Sequence, residues 1–321
     1  MSKKKILIVR INAIGDVVMT TIMAQAIKAK HPDYEIHYLT SGYCTDILNP
    51  CSFIDKVHLY IDDFEKMASN LRKEKFDILY SLNYSFKNLR LALKIHPEKI
   101  IFKSLSLSNV SWVENYFLTA KKGVGDIELP ESLILDNNPK DVEFIEQKIK
   151  DYPRPYVVIS PGKLENQPRE GRVWNIQKWL ILTEKLKELY GGTVFVVGGE
   201  DEKKYHEILK TKGAITYSGD LFISESATLI SKANLVISGD SGPIHIASAK
   251  NVNSLVLLGS TSPDKIKPYG KKGYYIEPLT KCKYCWKKKC KKLKGKKGYA
   301  PCMESITVDM VLDKIKQENL I

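Results

Sequence analysis

The sequence predicts an α/β protein of two doubly wound domains. Three observations carry this. The chain has 321 residues, enough for two domains that each bury a core. Short, unbroken apolar runs such as Tyr156-Val-Val-Ile and Thr193-Val-Phe-Val-Val alternate with helical segments. Unbroken apolarity means burial on both faces, as in parallel strands covered by helices. Two glycine-bearing turns follow such runs: Arg10 to Asp16 after Lys5-Ile-Leu-Ile-Val, and Ser238 to His245 after Asn234-Leu-Val-Ile. Each reads as strand, tight turn, helix. Such a turn aims backbone N–H groups and a helix N-terminus at an anion above the strand, most often phosphate.

Taken in order, the first half predicts strands at 5–10, 34–39, 56–60, 76–80 and 98–102. Helices are expected between them at 16–30, 63–73, 87–95 and 111–121. Residues 122–155 are punctuated by Gly123, Gly125, Pro130, Pro139, Pro153 and Pro155, with one helix near 139–150. The domain boundary is placed there, giving 1–150 and 151–321. The second half predicts strands at 156–160, 193–198, 214–217, 234–238 and 253–258. Its helices fall at 175–190, 201–211, 224–232 and 242–250, with an amphipathic helix closing the chain from Thr307. Right-handed crossovers then set the ligand site beyond the carboxyl ends of the strands.

Composition narrows the classes. No run reaches the ~18 apolar residues of a membrane span. The lysine-led start is broken early by Arg10, Asn12 and Asp16, so it reads as a first strand of a cytoplasmic protein. The net charge of +13 points to an acidic partner. Ten lysines and no acid lie between Lys281 and Gly298, so the body of the chain is nearly balanced. Nucleic-acid binding is therefore not expected of the body. Cys282, Cys285, Cys290 and Cys302 fall in or just beyond this tract. Four thiolates complete a tetrahedral zinc site, and the surrounding lysines favour thiolates. Reduced structural cysteines are the alternative.

Several side chains carry candidate chemistry. Asp16 opens the first helix, where a carboxylate serves as a general base or as a helix cap. Gly239 and Gly242 admit close backbone approach, and Asp240 and Ser241 cap the helix or bind a ligand. Pro243 suits a first helical turn, and His245 braces the loop. Lys163 and Arg172 are positioned either to neutralise a diphosphate or as an ordinary basic loop. Glu200, after Gly198-Gly199, holds ribose hydroxyls or caps the next helix. The first turn lacks G-x-G-x-x-G, which counts against a nicotinamide-dependent epimerase or dehydrogenase.

In the order and spacing of these motifs the chain resembles the glycosyltransferase family 9 heptosyltransferases. The likeness covers nearly the whole chain. It rests on Arg10 to Val18, Phe76-Asp77-Ile78-Leu79, Ser160 to Trp174, Val197 to Glu200, Asp240 to Ala247, and Cys302-Met303-Glu-Ser-Ile-Thr. The resemblance implies a GT-B fold, two Rossmann-like domains facing a cleft. It also implies an inverting transfer from a nucleotide-diphosphate sugar, typically ADP-heptose, to a lipopolysaccharide core or related anionic glycolipid. Asp16 takes the base position. Lys163, Arg172, Glu200, Gly239, Asp240, Ser241, Gly242 and His245 take the donor positions, and Arg10 and Asn12 the acceptor side. No cofactor is required for the chemistry, and zinc on the cysteines is structural. The cysteine tail is expected to lie away from the chemistry. Its lysines, Lys287 to Lys289 among them, would then engage an anionic acceptor or the inner membrane surface. The alternative from another class is a nucleic-acid-binding protein with a four-cysteine zinc module in a lysine-rich tail.

Overall fold

The computed structural model describes residues 3–83, 85–104, 110–162, 171–287, 290–293 and 298–321. It divides into two compact units, Met1–Asn137 and Asn138–Ile321. The expected boundary lay thirteen residues later, after 150, because the helix Pro139–Ile149 read as part of the linker. That helix instead packs on the helix Ile223–Ser231 of the second unit. Its Ile145 and Ile149 are buried, and that burial assigns it there.

The first unit holds five parallel strands: β1 (Lys5–Val9), β2 (Glu35–Thr40), β3 (Lys56–Leu59), β4 (Ile78–Ser81) and β5 (Lys99–Phe102). Their order is β3-β2-β1-β4-β5. β1 is central, and Ile6, Leu7, Ile8 and Val9 are all buried. Each such side chain withdrawn from water contributes about 1.5–3 kcal/mol, which is why the most apolar run takes the middle of the sheet. The helix Ile14–Lys30 follows β1 and packs along the helix Trp112–Val124. The second of these starts with a capping box between Ser111 and Glu114.

The second unit holds β6 (Tyr156–Ser160), β7 (Thr193–Val196), β8 (Ile215–Thr216), β9 (Leu235–Gly239), β10 (Asn253–Leu257) and β11 (Gly273–Ile276). The order is β11-β10-β9-β6-β7-β8, again parallel throughout. β11 was not foreseen: Gly273-Tyr-Tyr-Ile is short and half-exposed, an edge strand with little apolar signal. The expected helix over 201–211 is a short α-turn, Lys203–His206, between 3₁₀ turns at Glu200–Glu202 and Glu207–Lys212. Trp174 and Trp179 are fully buried and meet edge-on with ring centres 5.0 Å apart. Trp174 Nε1 donates to Ile306 O at 2.9 Å, tying the C-terminal segment into this core.

In each sheet the first strand of the unit has later strands on both sides, so the chain reverses direction of winding there. These switch points are β1/β4 and β6/β9. Helices leave such neighbouring strands in opposite directions, opening a crevice at the carboxyl edge.

Candidate functional site

At the β1/β4 switch point the turn after β1 carries Arg10, Asn12 and Asp16. The sharp bend falls on Ala13, in the left-handed region at φ 69°, and not on Gly15, which is already helical. A non-glycine residue there costs about 1–3 kcal/mol, strain that concentrates at functional turns. Ala13 is also the helix N-cap and offers no side-chain bond. Asp16 sits in the first helical turn and its carboxylate is spent elsewhere, so the capping role does not apply. Arg10 Nη2 donates to Asp16 Oδ2 at 2.5 Å, and Tyr116 Oη donates to Asp16 Oδ1 at 2.9 Å. Arg10 Nη1 also donates to Leu82 O, just after β4, at 3.3 Å. One guanidinium thus spans the crevice between β1 and β4.

Tyr116 is a site residue that sequence reasoning missed. It comes from the helix Trp112–Val124, one hundred residues from Asp16. Burial, then the charge of Asp16, pushes its phenol well above the usual range, so it stays a donor. Asn12 is exposed, with Tyr43 Oη donating to its Oδ1 at 3.5 Å and accepting from Ala13 N at 3.3 Å. Arg10 Nε, Ser81 Oγ and Asn83 Oδ1 are buried without a hydrogen-bond partner among the described residues. Unsatisfied buried polar atoms are rare in native folds, and these three lie at the carboxyl ends of β1 and β4.

At the β6/β9 switch point two turns face each other. After β6, Ser160-Pro-Gly ends in Gly162 at φ 76°, a conformation that favours glycine. Lys163 lies outside the described residues. Beneath this turn His206 is fully buried, its Nδ1 2.6 Å from Ser218 Oγ and its Nε2 3.2 Å from Gly162 O. Burial lowers its pKa to about 4, so it braces the turn as a neutral imidazole. It too went unread in the sequence.

At the end of β9, a Cβ on Gly239 would stand 2.5 Å from Arg172 O, so only glycine fits. Arg172 Nε lies 3.3 Å from Asp240 Oδ2, and His245 Nε2 lies 3.8 Å from Asp240 Oδ1. Asp240 therefore joins the basic loop to the helix Gly242–Ala249, and His245 is the brace that the sequence suggested. Ser241 takes the N-cap position but makes no cap bond. Its hydroxyl shares a 2.7 Å bond with Ser238 Oγ, which donates to Ser160 O at 3.0 Å. Gly242 opens the helix with Pro243 behind it, and no side chain caps this N-terminus. Glu200 is exposed at the end of the β7 turn. The cap there belongs to Glu202, whose carboxylate accepts from Gly199 N at 2.9 Å.

The cysteine tail contradicts the expected remoteness. Tyr284 N donates to Gly259 O at 3.0 Å and Trp286 N to Ser260 O at 2.8 Å. Ser260 N in turn donates to Gly171 O at 2.7 Å, beside Arg172. The segment therefore runs along the loop after β10, on the carboxyl edge of the sheet. Both Tyr284 and Trp286 adopt φ near 55°, at 56° and 54°. Among the described residues no three cysteine sulfurs lie close enough to share an ion; only His37, His58 and Glu74 form such a group. Cys302 is buried, and burial pushes its thiol up to about 11 against a hydrogen bond from the Met303 backbone that opposes the rise. Lysine proximity does not favour a thiolate at that position. Lys288 and Lys289 lie outside the described residues.

A family model for glycosyltransferase family 9 (heptosyltransferase) matches residues 64–296. Lipopolysaccharide heptosyltransferase 1 of Campylobacter coli is 23% identical over 327 residues, covering 88% of this chain and 94% of that protein. The solved E. coli ADP-heptose lps heptosyltransferase II superposes with a TM-score of 0.80 at 21% identity, over 98% of this chain and 99% of that one. A family 9 glycosyl transferase from Veillonella parvula DSM 2008 gives 0.85 at 17% identity, over 100% and 98%. These structural likenesses establish the GT-B fold, with its two Rossmann-like units. Since the family model spans well over half of the chain, the protein belongs to glycosyltransferase family 9 and is a glycosyltransferase.

Proposed function

We propose that the protein transfers heptose, with inversion, from ADP-heptose to a lipopolysaccharide core or related anionic glycolipid on the cytoplasmic side. The carrying observation is the Asp16 carboxylate at the first switch point, its two oxygens fixed by Arg10 and Tyr116. Asp16 takes the proton from an acceptor hydroxyl. That oxygen bonds to the anomeric carbon as the bond to the diphosphate breaks, and the nucleotide leaves with the electron pair. Arg10 and Asn12 lie where the acceptor enters. Arg172, the turn Gly239–Gly242 and the helix N-terminus at Gly242 hold the diphosphate, with Lys163 assigned to the same charge. Glu200 is assigned to the ribose. The relatives' names support the donor and acceptor, and no observation favours the nucleic-acid-binding alternative.

Asp16→Ala tests the assignment. Loss of a general base costs about 10²–10⁴-fold in rate, so turnover should fall by that much while ADP binding holds. Wild-type turnover in this variant would refute the role of Asp16. The cations named here make a metal ion unnecessary for the transfer, so activity should persist in EDTA; magnesium-restorable loss would contradict this. A structural zinc on Cys282, Cys285, Cys290 and Cys302 is a separate part of the proposal. It rests on the Cys-x-x-Cys spacing, and it requires the first three cysteines to close on Cys302. Elemental analysis of the purified protein decides it.

A further inference from the structure

The helix Phe86–Ile95 leaves β4 and is capped by Ser85 Oγ, which accepts from Asn88 N at 3.1 Å. Its inner side, Leu91, Ala92 and Ile95, packs into the core with Leu7, Leu39, Met67 and Leu79. Its outer side should then be polar, as on an ordinary surface helix. It is not. Phe86 is 83% exposed, Leu93 56% and Leu89 37%. Spaced three and four apart, these residues lie along one face. With Pro97 and Ile100 they line an open cavity of about 570 Å³.

The same helix carries Lys87, Arg90 and Lys94 and no acidic residue. Acids face it from the neighbouring segment. Glu65 pairs with Arg90 at 2.9 Å and with Lys94, and Asp62 lies near Lys87, which sits 4.9 Å over the Tyr60 ring. Three cations thus meet two carboxylates, leaving a positive excess beside an exposed apolar stripe.

We propose that this face docks on a bilayer containing anionic lipid. Phe86 and Leu93 enter the acyl boundary, Lys87 meets a headgroup phosphate, and Arg90 and Lys94 share Glu65 with the phosphates beside it. Charge argues for lipid over a second copy of the chain, because self-association about this stripe sets cations against cations. Position argues the same way. The helix begins four residues after Leu82, whose carbonyl accepts from Arg10, the partner of Asp16. A bilayer here brings a lipid-anchored acceptor to that strand edge, and in this respect the inference rests on the proposed glycolipid acceptor.

Co-sedimentation of the full chain with vesicles tests it. One set is phosphatidylcholine alone; the other is equal parts phosphatidylcholine and phosphatidylglycerol. Wild type should partition onto the anionic set. Phe86→Ser with Leu93→Ser should weaken that by about tenfold or more, given the apolar area removed. Phe86→Ser alone should give an intermediate loss, which keeps the test open if the double variant misfolds. Lys283→Gln with Lys287→Gln, in the basic tail, should leave partitioning unchanged. The proposal fails if wild type ignores anionic vesicles, if the apolar variants bind as well as wild type, or if only the tail variant loses binding. It also fails if wild type is a dimer that the apolar variants dissolve. Turnover on a deacylated, soluble acceptor separates the two readings. The apolar variants should retain it, and its absence from wild type would remove the acceptor assignment while the vesicle result stood.

Discussion

Asp16 is held from two directions, by a guanidinium six residues away and by a phenol one hundred residues away. The first contact is local. The second exists only because the helix Trp112–Val124 packs against the helix that bears Asp16. Tyr116 donates to a carboxylate, and such charge-assisted bonds are worth about 1.5–3 kcal/mol. If that bond orients Asp16 towards the reacting hydroxyl, Tyr116→Phe should lower kcat by about tenfold with little change in acceptor KM. Steady-state kinetics on a variant of unchanged melting temperature checks this. A rise in KM at constant kcat would make Tyr116 part of acceptor binding. Trp174 teaches the reverse lesson. It belongs to a motif that resembles the donor loop, yet it is 1% exposed and its indole bonds to Ile306 O. Its role is to hold the C-terminal segment.

At the scale of elements, the strand–turn–helix units were legible because each is written in contiguous residues: an apolar run, a small or glycine turn, then helix formers. The fold-back of the cysteine tail was not legible. Residues 284–286 bond to the loop 259–260 through backbone groups, which every sequence possesses. The tail therefore lies beside Gly171 and Arg172, on the side proposed above to hold the donor. Lys283→Gln with Lys287→Gln should raise the donor KM, more at low salt than at high salt, since exposed charges are screened within about 10 Å at 0.1 M. An unchanged donor constant with a raised acceptor constant would return the tail to the acceptor.

For the molecule as a whole, three imidazoles set a pH limit, His37 and His206 buried and His58 half-buried. His206 and His58 are each pushed down to about 4 and His37 is also lowered, in every case mainly by burial. The folded state thus resists protonation that the unfolded chain accepts near the ordinary imidazole value of about 6.5. The resulting stability is fully present above that pH and is lost as pH falls through the folded values. The melting temperature should be level near neutrality and decline steadily from about pH 6.5 to 4. His206→Gln should flatten part of that decline. A melting temperature constant down to pH 4 would show that these imidazoles titrate normally. No helix among the described residues is long and apolar enough to cross a membrane.

The fold class, the alternation of elements and the two turns that carry Asp16 and Asp240 could all be read along the chain. These follow from local apolarity and turn chemistry, which act within a few residues. The sequence also marked His245 as a brace of the second turn and Arg172 as part of a basic loop after β6, while the pairing of Arg172 with Asp240 came only from the structure. The tertiary structure alone decided what braces the turns. Tyr116 reaches Asp16, His206 supports Gly162, Glu202 takes the cap expected of Glu200, and the tail lies along the β10 loop. Apart from the Glu202 cap, which is made three residues away, each of these contacts joins segments that come together only through strand order and helix packing. Strand order follows from which buried faces cover one another across the whole unit, a long-range outcome that no local pattern in the chain encodes.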